Sequence, residues 1–198
     1  MIYMVDHVYT DPNTEPEWHA WYSGYLQKLL SVPGIHSAQR FKAVGHTPSR
    51  YLAMYSIDSA DVYTSQGYKN IGGGGSQSAR FHPHYQMWTR NLFESAVSAP
   101  VVRDGERVLV FDRQEKAENI DSRATWLHTV GLHMTTRHRA FIVLGANAAV
   151  PTVEGSLLYE PYTSPLSKGS PVDCRAEKRS AVRQTNTIAI ATKFGGRR

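Results

Sequence analysis

The sequence predicts an α+β fold of two ferredoxin-like β-α-β-β-α-β units, and three observations carry that prediction. An aromatic helix with clear start and stop signals follows the first strand. Alternating apolar segments flank that helix. The same order of elements then recurs, more weakly, about a hundred residues later.

The helix is the best specified element. Thr14 followed by Glu17 has the spacing of a capping box, and Pro16 is tolerated in a first turn, where its missing N–H leaves nothing unpaired. Trp18, Trp21, Tyr22, Tyr25, Leu26, Leu29 and Leu30 recur every three or four residues as one apolar stripe, until Val32-Pro33-Gly34 stops it. Residues 2–9 alternate as a strand before it. Ile35–Val44 and Tyr51–Ile57 read as two more, joined by the turn-forming Gly45-His46-Thr47-Pro48-Ser49. A shorter helical stretch over 59–69, the glycine run Gly72–Gly75 and a strand over Tyr85–Phe93 complete the first unit.

Beyond a connector at Ser95–Glu106, the second unit is expected to run as a strand at Arg107–Gln114, a helix at Glu118–Met134, strands at Ala140–Ala146 and Ser156–Glu160, and a last strand at Asn186–Phe194. Met4-Val5-Asp6-His7 and Val110-Phe111-Asp112-Arg113 occupy matching places. Two units follow, 1–98 and 99–198, the second ending in a basic tail. The stretch 161–184 stands where the second unit's second helix belongs but carries no helical stripe, and reads as an extended arm reaching a partner subunit.

Composition narrows the function classes. At 198 residues and 41% hydrophobic, the chain can bury one good core or two small ones. No apolar run is long enough to span a bilayer, and the first residues do not form a signal peptide, so no membrane partner and a cytoplasmic location are expected. The single cysteine, Cys174, excludes an intramolecular disulfide and thiolate-rich metal sites. Residues 1–99 carry as many acidic as basic side chains, so the net charge of +5 comes from the second half, mostly from the residues after 165. No aromatic-interleaved basic strand or recognition helix accompanies that charge, which argues against nucleic acid as the partner.

The run Trp21-Tyr22, then Leu29-Leu30-Ser31-Val32-Pro33-Gly34-Ile35, Ser37-Ala38-Gln39-Arg40-Phe41 and Tyr51-Leu52-Ala53-Met54-Tyr55 resembles the dimeric α/β-barrel superfamily, and within it the EthD-like proteins. The resemblance covers about the first 57 residues, and beyond them only the order of elements. It implies antiparallel sheets pairing as an α/β barrel, either from the two repeats of one chain or between subunits, with helices outside, a small-molecule cavity between or beside the sheets, and a homodimer as the family habit. The family pattern places an acidic-His pair after Trp-Tyr; this chain has Ser23-Gly24-Tyr25-Leu26 there, so chemistry that needs that histidine is in doubt. The activities it implies range from cofactor-independent oxygenation of electron-rich aromatics through lyases and isomerases to haem enzymes and ligand-binding regulators. Fold does not choose among them.

The candidate site residues come from the side chains themselves. Asp6 and His7 close the first strand and, being adjacent, point to opposite faces, so only one enters a given cavity. His7 suits general acid–base work near neutrality, beside Tyr3 and Tyr9. In Phe81-His82-Pro83-His84-Tyr85, the pair His82 and His84 either works as acid and base or ligates a metal; no acidic third ligand lies close, and no metal is expected. Trp88 and Arg90 share a face of the strand that follows, an aromatic wall beside a cation for a carboxylate or enolate. Arg40, if buried, needs an anionic partner, either Asp6 or an acidic substrate. Tyr55 and Tyr85 offer phenolic donors. Gly72–Gly75 lacks the Gly-Lys-Ser/Thr ending of a phosphate loop and reads as a lid or a joint.

With imidazoles plentiful and no flavin or haem motif visible, the expected function is cofactor-free acid–base chemistry of the lyase, dehydratase or isomerase type. Its substrate is a hydrophobic or aromatic metabolite. The alternatives are a cofactor-independent monooxygenase and a non-catalytic ligand-binding protein.

Overall fold

The computed structural model describes residues 1–73, 75–95, 97–116 and 120–169. Nine strands and two α-helices are formed there: β1 (Ile2–Tyr9), α1 (Glu15–Leu30), β2 (Ile35–Ala43), β3 (Ser49–Ile57), α2 (Gln66–Asn70), β4 (Tyr85–Glu94), β5 (Arg107–Arg113), β6 (Thr125–Leu132), β7 (His138–Leu144), β8 (Leu157–Pro161) and β9 (Leu166–Ser167). Two 3-10 segments, Ala60–Thr64 and Ser76–His84, flank α2. None of these helices is long and apolar enough to cross a membrane.

The sheet runs β3-β1-β4-β6-β7-β5-β8-β2, and β2 pairs back with β3, so eight antiparallel strands close into a barrel within one chain. No second copy is needed to close it. The short β9 continues the line of β8 along β2, after a break where the Tyr162 and Thr163 amides both donate to the Arg40 carbonyl.

Alternation along each strand fills two compartments. Ile2, Met4, Phe41, Leu52, Met54, Phe93, Val108, Val110, Leu127, Phe141 and Tyr159 pack the inside of the barrel. On the outside of the first half, Tyr3, Val5, Ala38, Ala53 and Tyr55 meet the stripe of α1, with Trp18, Tyr22, Leu26 and Leu29 buried. All eight residues of β1 are therefore buried. α1 starts where expected, but Thr14 makes no side-chain cap; its hydroxyl donates to Asp11 and meets the Tyr9 hydroxyl instead.

The second half departs from the expected pattern. The helix expected at Glu118–Met134 does not form among the described residues of that stretch, 120–134: residues 125–132 are the strand β6, which pairs with both β4 and β7 and seals the barrel. Its burial alternates, Leu127 and Thr129 inside, His128 and Val130 outside, and Thr125, Trp126, Thr129 and Val130 are strand-forming residues. Loop residues take the place of a helix over the outer face, where Ile120, Ala124, Ala148 and Val153, beside Trp126 of β6 and Leu158 of β8, pack on Leu109, Phe111, Ile142 and Leu144. The expected strand at Asn186–Phe194, Cys174 and most of the basic tail lie outside the described residues.

One ion-pair cluster ties β1, β5 and β7 together inside the barrel. Arg139 donates from Nη1 to Asp6 Oδ2 (2.6 Å), from Nε to Asp112 Oδ1 (2.7 Å) and from Nη2 to Asp112 Oδ2 (2.9 Å). Arg139 and Asp6 are buried, whereas the Asp112 side chain is 44% exposed. Removing one partner of a buried pair strands the other, so Arg139→Met is expected to cost about 3–5 kcal/mol in urea unfolding. Asp112→Asn, at the wet end, is expected to cost less in the same measurement.

Candidate functional site

The site lies outside the barrel, between the outer face of the first-half sheet and the layer made by α1 and residues 60–73 and 75–84. There β1 and β3 present Tyr3, Val5, His7 and Tyr55, α1 presents Trp21, Tyr22, Tyr25 and Leu29, and the following segment adds Tyr63, Tyr68 and Ser78. The cavity there is about 80 Å³ and partly open to solvent, against the roughly 10–15 Å³ that one water requires. Its wall is aromatic with a few polar tips, as small-molecule sites commonly are.

Local backbone geometry sets this wall. β4 carries a bulge opposite Asp6 and Val8, with Met87 at φ 51°. The extra residue brings Tyr85 and Trp88, three apart in sequence, into the same cavity together with Arg90. The Arg90 guanidinium sits 4.7 Å from the Trp88 ring centre, and its Nε is buried without a hydrogen-bond partner. Gly72 and Gly75 complete the wall: a Cβ at Gly72, at φ 72°, would meet Gln77, and one at the neighbouring Gly73 would stand 2.4 Å from the Tyr68 ring. At Gly72 and Gly73 glycine provides close approach to these side chains.

His7 is the polar residue at the back of the cavity. It is 2% exposed, and neither ring nitrogen has a hydrogen-bond partner. Trp18 meets it edge-on at 5.0 Å, and the Tyr85 and Tyr51 rings lie at 5.1 and 6.0 Å. Burial, and then the nearby Arg40 charge, push its pKa down to about 3, so the imidazole is neutral at physiological pH. The phenols around it are held protonated, since burial raises Tyr3, Tyr55 and Tyr85 above their ordinary value. Tyr55 is hydrogen-bonded to Tyr22 (2.9 Å), and Tyr85 accepts from Trp18 Nε1 (2.8 Å).

Asp6 and Arg40 are not partners. Asp6 faces the barrel interior and pairs with Arg139; Arg40 points the other way, toward α1, and is absent from the cavity wall. Arg40 is 1% exposed, with its guanidinium 4.0 Å from the Tyr22 ring centre, 4.4 Å from Trp18 and 5.2 Å from Tyr162. Its Nη2 donates to His19 Nδ1 (3.1 Å), His19 Nε2 then meets the Tyr51 hydroxyl (3.1 Å), and Tyr51 donates to Glu15 Oε1 (2.5 Å). The buried charge is thus linked to a carboxylate at the start of α1 through two neutral groups. Burial and Arg40 also hold His19 neutral, far below its ordinary range.

The two histidines before β4 do not act together. His82 Nε2 bonds Ser78 Oγ (2.8 Å), while His84 Nδ1 lies 3.7 Å from Asp11, and neither lines the cavity. Among the described residues no three His, Cys, Asp or Glu side chains are placed to hold a metal. Of the residues singled out in the sequence, His7, Tyr55, Tyr85, Trp88 and Arg90 converge on the cavity, and Asp6, Arg40, His82 and His84 do not. Tyr63, Tyr68 and Ser78 went unread, since nothing in their local sequence shows that the segment folds back over β1. His19, which answers Arg40, is likewise visible only once α1 is docked on β2.

No family model matches the sequence, and no curated protein matches it. Solved structures do. The chain is similar to an anthrone oxidase-like protein at 11% identity and a TM-score of 0.51, over 85% of this chain and 94% of that one. It is also similar to a protein described as a monooxygenase from Lactobacillus acidophilus NCFM (11% identity, TM-score 0.45, 86% and 97% covered). A variant of chlorite dismutase from Candidatus Nitrospira defluvii gives 10% identity and a TM-score of 0.47, with 91% and 95% covered. At such identities the likeness is one of fold. An antiparallel eight-stranded barrel, with α1 and a cavity on its outer face, gives this chain the dimeric α/β-barrel fold, closed on a single polypeptide.

Proposed function

We propose that the chain is an enzyme acting on a small hydroxylated aromatic molecule, and that His7 takes the proton from its hydroxyl. The observation that carries this reading is a buried, neutral imidazole with both nitrogens unpartnered, in a cavity walled by aromatic rings. A planar ligand finds ring faces in Tyr3, Tyr55 and Trp88, and its hydroxyl finds an acceptor in His7. An imidazole with so low a pKa is a weak base, but the imidazolium and oxyanion formed by transfer attract one another far more in a dry pocket than in water. Arg90 offers that oxyanion a second positive charge. The His7 imidazolium can return that proton at another atom of the substrate, as acid–base chemistry of the lyase, dehydratase or isomerase type requires, while the phenols of Tyr55 and Tyr85, which burial holds protonated, orient the substrate by hydrogen bonds. A cofactor-independent monooxygenase would share the first step and then consume O₂.

The low basicity of His7 favours one further reading, a protein that binds the same phenols without turning them over. Incubation with catechol and 2-naphthol, following products by mass and O₂ by electrode, separates the three. For the enzyme, His7→Gln is expected to lower turnover by about 10²–10⁴ with ligand affinity changed much less. Affinity without any wild-type turnover selects the binder, and O₂ uptake selects the oxygenase.

The neutral histidines also set the acid limit of the fold. His7 titrates at its ordinary 6.5 in the unfolded chain and at about 3 in the folded one. Between those values the unfolded state binds a proton that the native state refuses, so stability falls as pH falls, by up to about 1.4 kcal/mol per pH unit for each such histidine. His19 acts in the same direction. Urea unfolding free energy is expected to decline from about pH 6.5 toward pH 4, with a shallower slope in His7→Gln.

A further inference from the structure

A second cavity, of about 180 Å³, opens inside one end of the barrel, lined by Asp6, Arg50, Asp112, Arg139, Leu157 and Tyr159 among others. It lies on the opposite face of β1 from His7. Arg139 is fully engaged, since it binds Asp112 through two nitrogens and Asp6 through a third. One guanidinium thus serves two carboxylates, and one negative charge is left over. Arg50 brings the balancing positive charge from β3, separated from the β5 carboxylate of Asp112 by β2 and β8. It enters none of the ion pairs among the described residues.

Tyr159 is the second, independent sign of a ligand. It is fully buried and faces this cavity, and its hydroxyl, beside the Arg50 guanidinium, has no acceptor for its own proton. Burial first, and the Asp6 charge next, raise its pKa, so it stands protonated as a donor, with Arg50 near enough to pull part of that shift back. A buried hydroxyl left in this state is unfavourable unless something accepts from it.

We propose that this barrel-end cavity binds a compact zwitterion, a free α-amino acid. Its carboxylate is received by the Arg50 guanidinium and the Tyr159 hydroxyl, both donors, and its ammonium by the carboxylates of Asp112 and Asp6, both acceptors. The two aspartates and two arginines sum to zero charge. A lone anion or a lone cation would unbalance a partly dry site, whereas a zwitterion answers both leftover charges and keeps it neutral.

Isothermal titration of the full chain with glycine and L-alanine, and with acetate and methylammonium as single-charge controls, tests this. The expected result is one amino-acid site per chain, with each control at least about tenfold weaker, the scale of one lost charged contact. Arg50→Gln and Tyr159→Phe, which leave the Arg139 contacts in place, are each expected to weaken amino-acid binding about tenfold. His7→Gln is expected to leave it unchanged, which keeps this result apart from the other cavity. Absence of amino-acid binding overturns the proposal. So does acetate or methylammonium binding as tightly as glycine, or an affinity that neither variant moves.

Discussion

Strand alternation on a strand buried on both faces is the constraint from which the two cavities follow. β1 runs between the barrel interior and the underside of α1, and every one of its residues is buried. Successive side chains must go to opposite compartments. Asp6 therefore enters the barrel and His7 enters the aromatic layer, and their separation follows from one step along the backbone. A register slip of one residue would exchange them and leave a carboxylate among tyrosines.

The two buried arginines show two solutions to one electrostatic problem. Arg139 is matched by carboxylates, contact for contact. Among the described residues Arg40 pairs with no carboxylate, and it is held by ring faces, with a hydrogen-bonded line through His19 and Tyr51 to Glu15. The first solution fixes its surroundings in charged form. The second leaves an uncancelled positive field in the layer under α1, and that field joins with burial to keep His7 and His19 neutral. An aromatic cage for Arg40 is thus part of what gives His7 its protonation state.

The first half of the fold was legible because its signals are local. The α1 stripe, its Pro33-Gly34 stop and the alternation of β1 through β3 each sit within a dozen residues. β6 was misread because a repeat of the first half leads one to expect a helix there, while Thr125, Trp126, Thr129 and Val130 say strand. In the site, parity alone separated Asp6 from His7, and spacing alone put Trp88 beside Arg90. The partners of Arg40 and the bulge at Met87 were not legible, since both depend on elements distant in sequence. The matching Met4-Val5-Asp6 and Val110-Phe111-Asp112 text did carry information: both aspartates end on Arg139.

Closure of the barrel on a single polypeptide also removes a constraint of inheritance. In a barrel made from two identical subunits every substitution appears twice, related by the dyad, so a change that improves one cavity is imposed on its twin. Here each codon is read once per barrel. One half is free to keep an aromatic layer over its outer face while the other trades its helix for strand and loop, and selection can act on the two cavities one at a time.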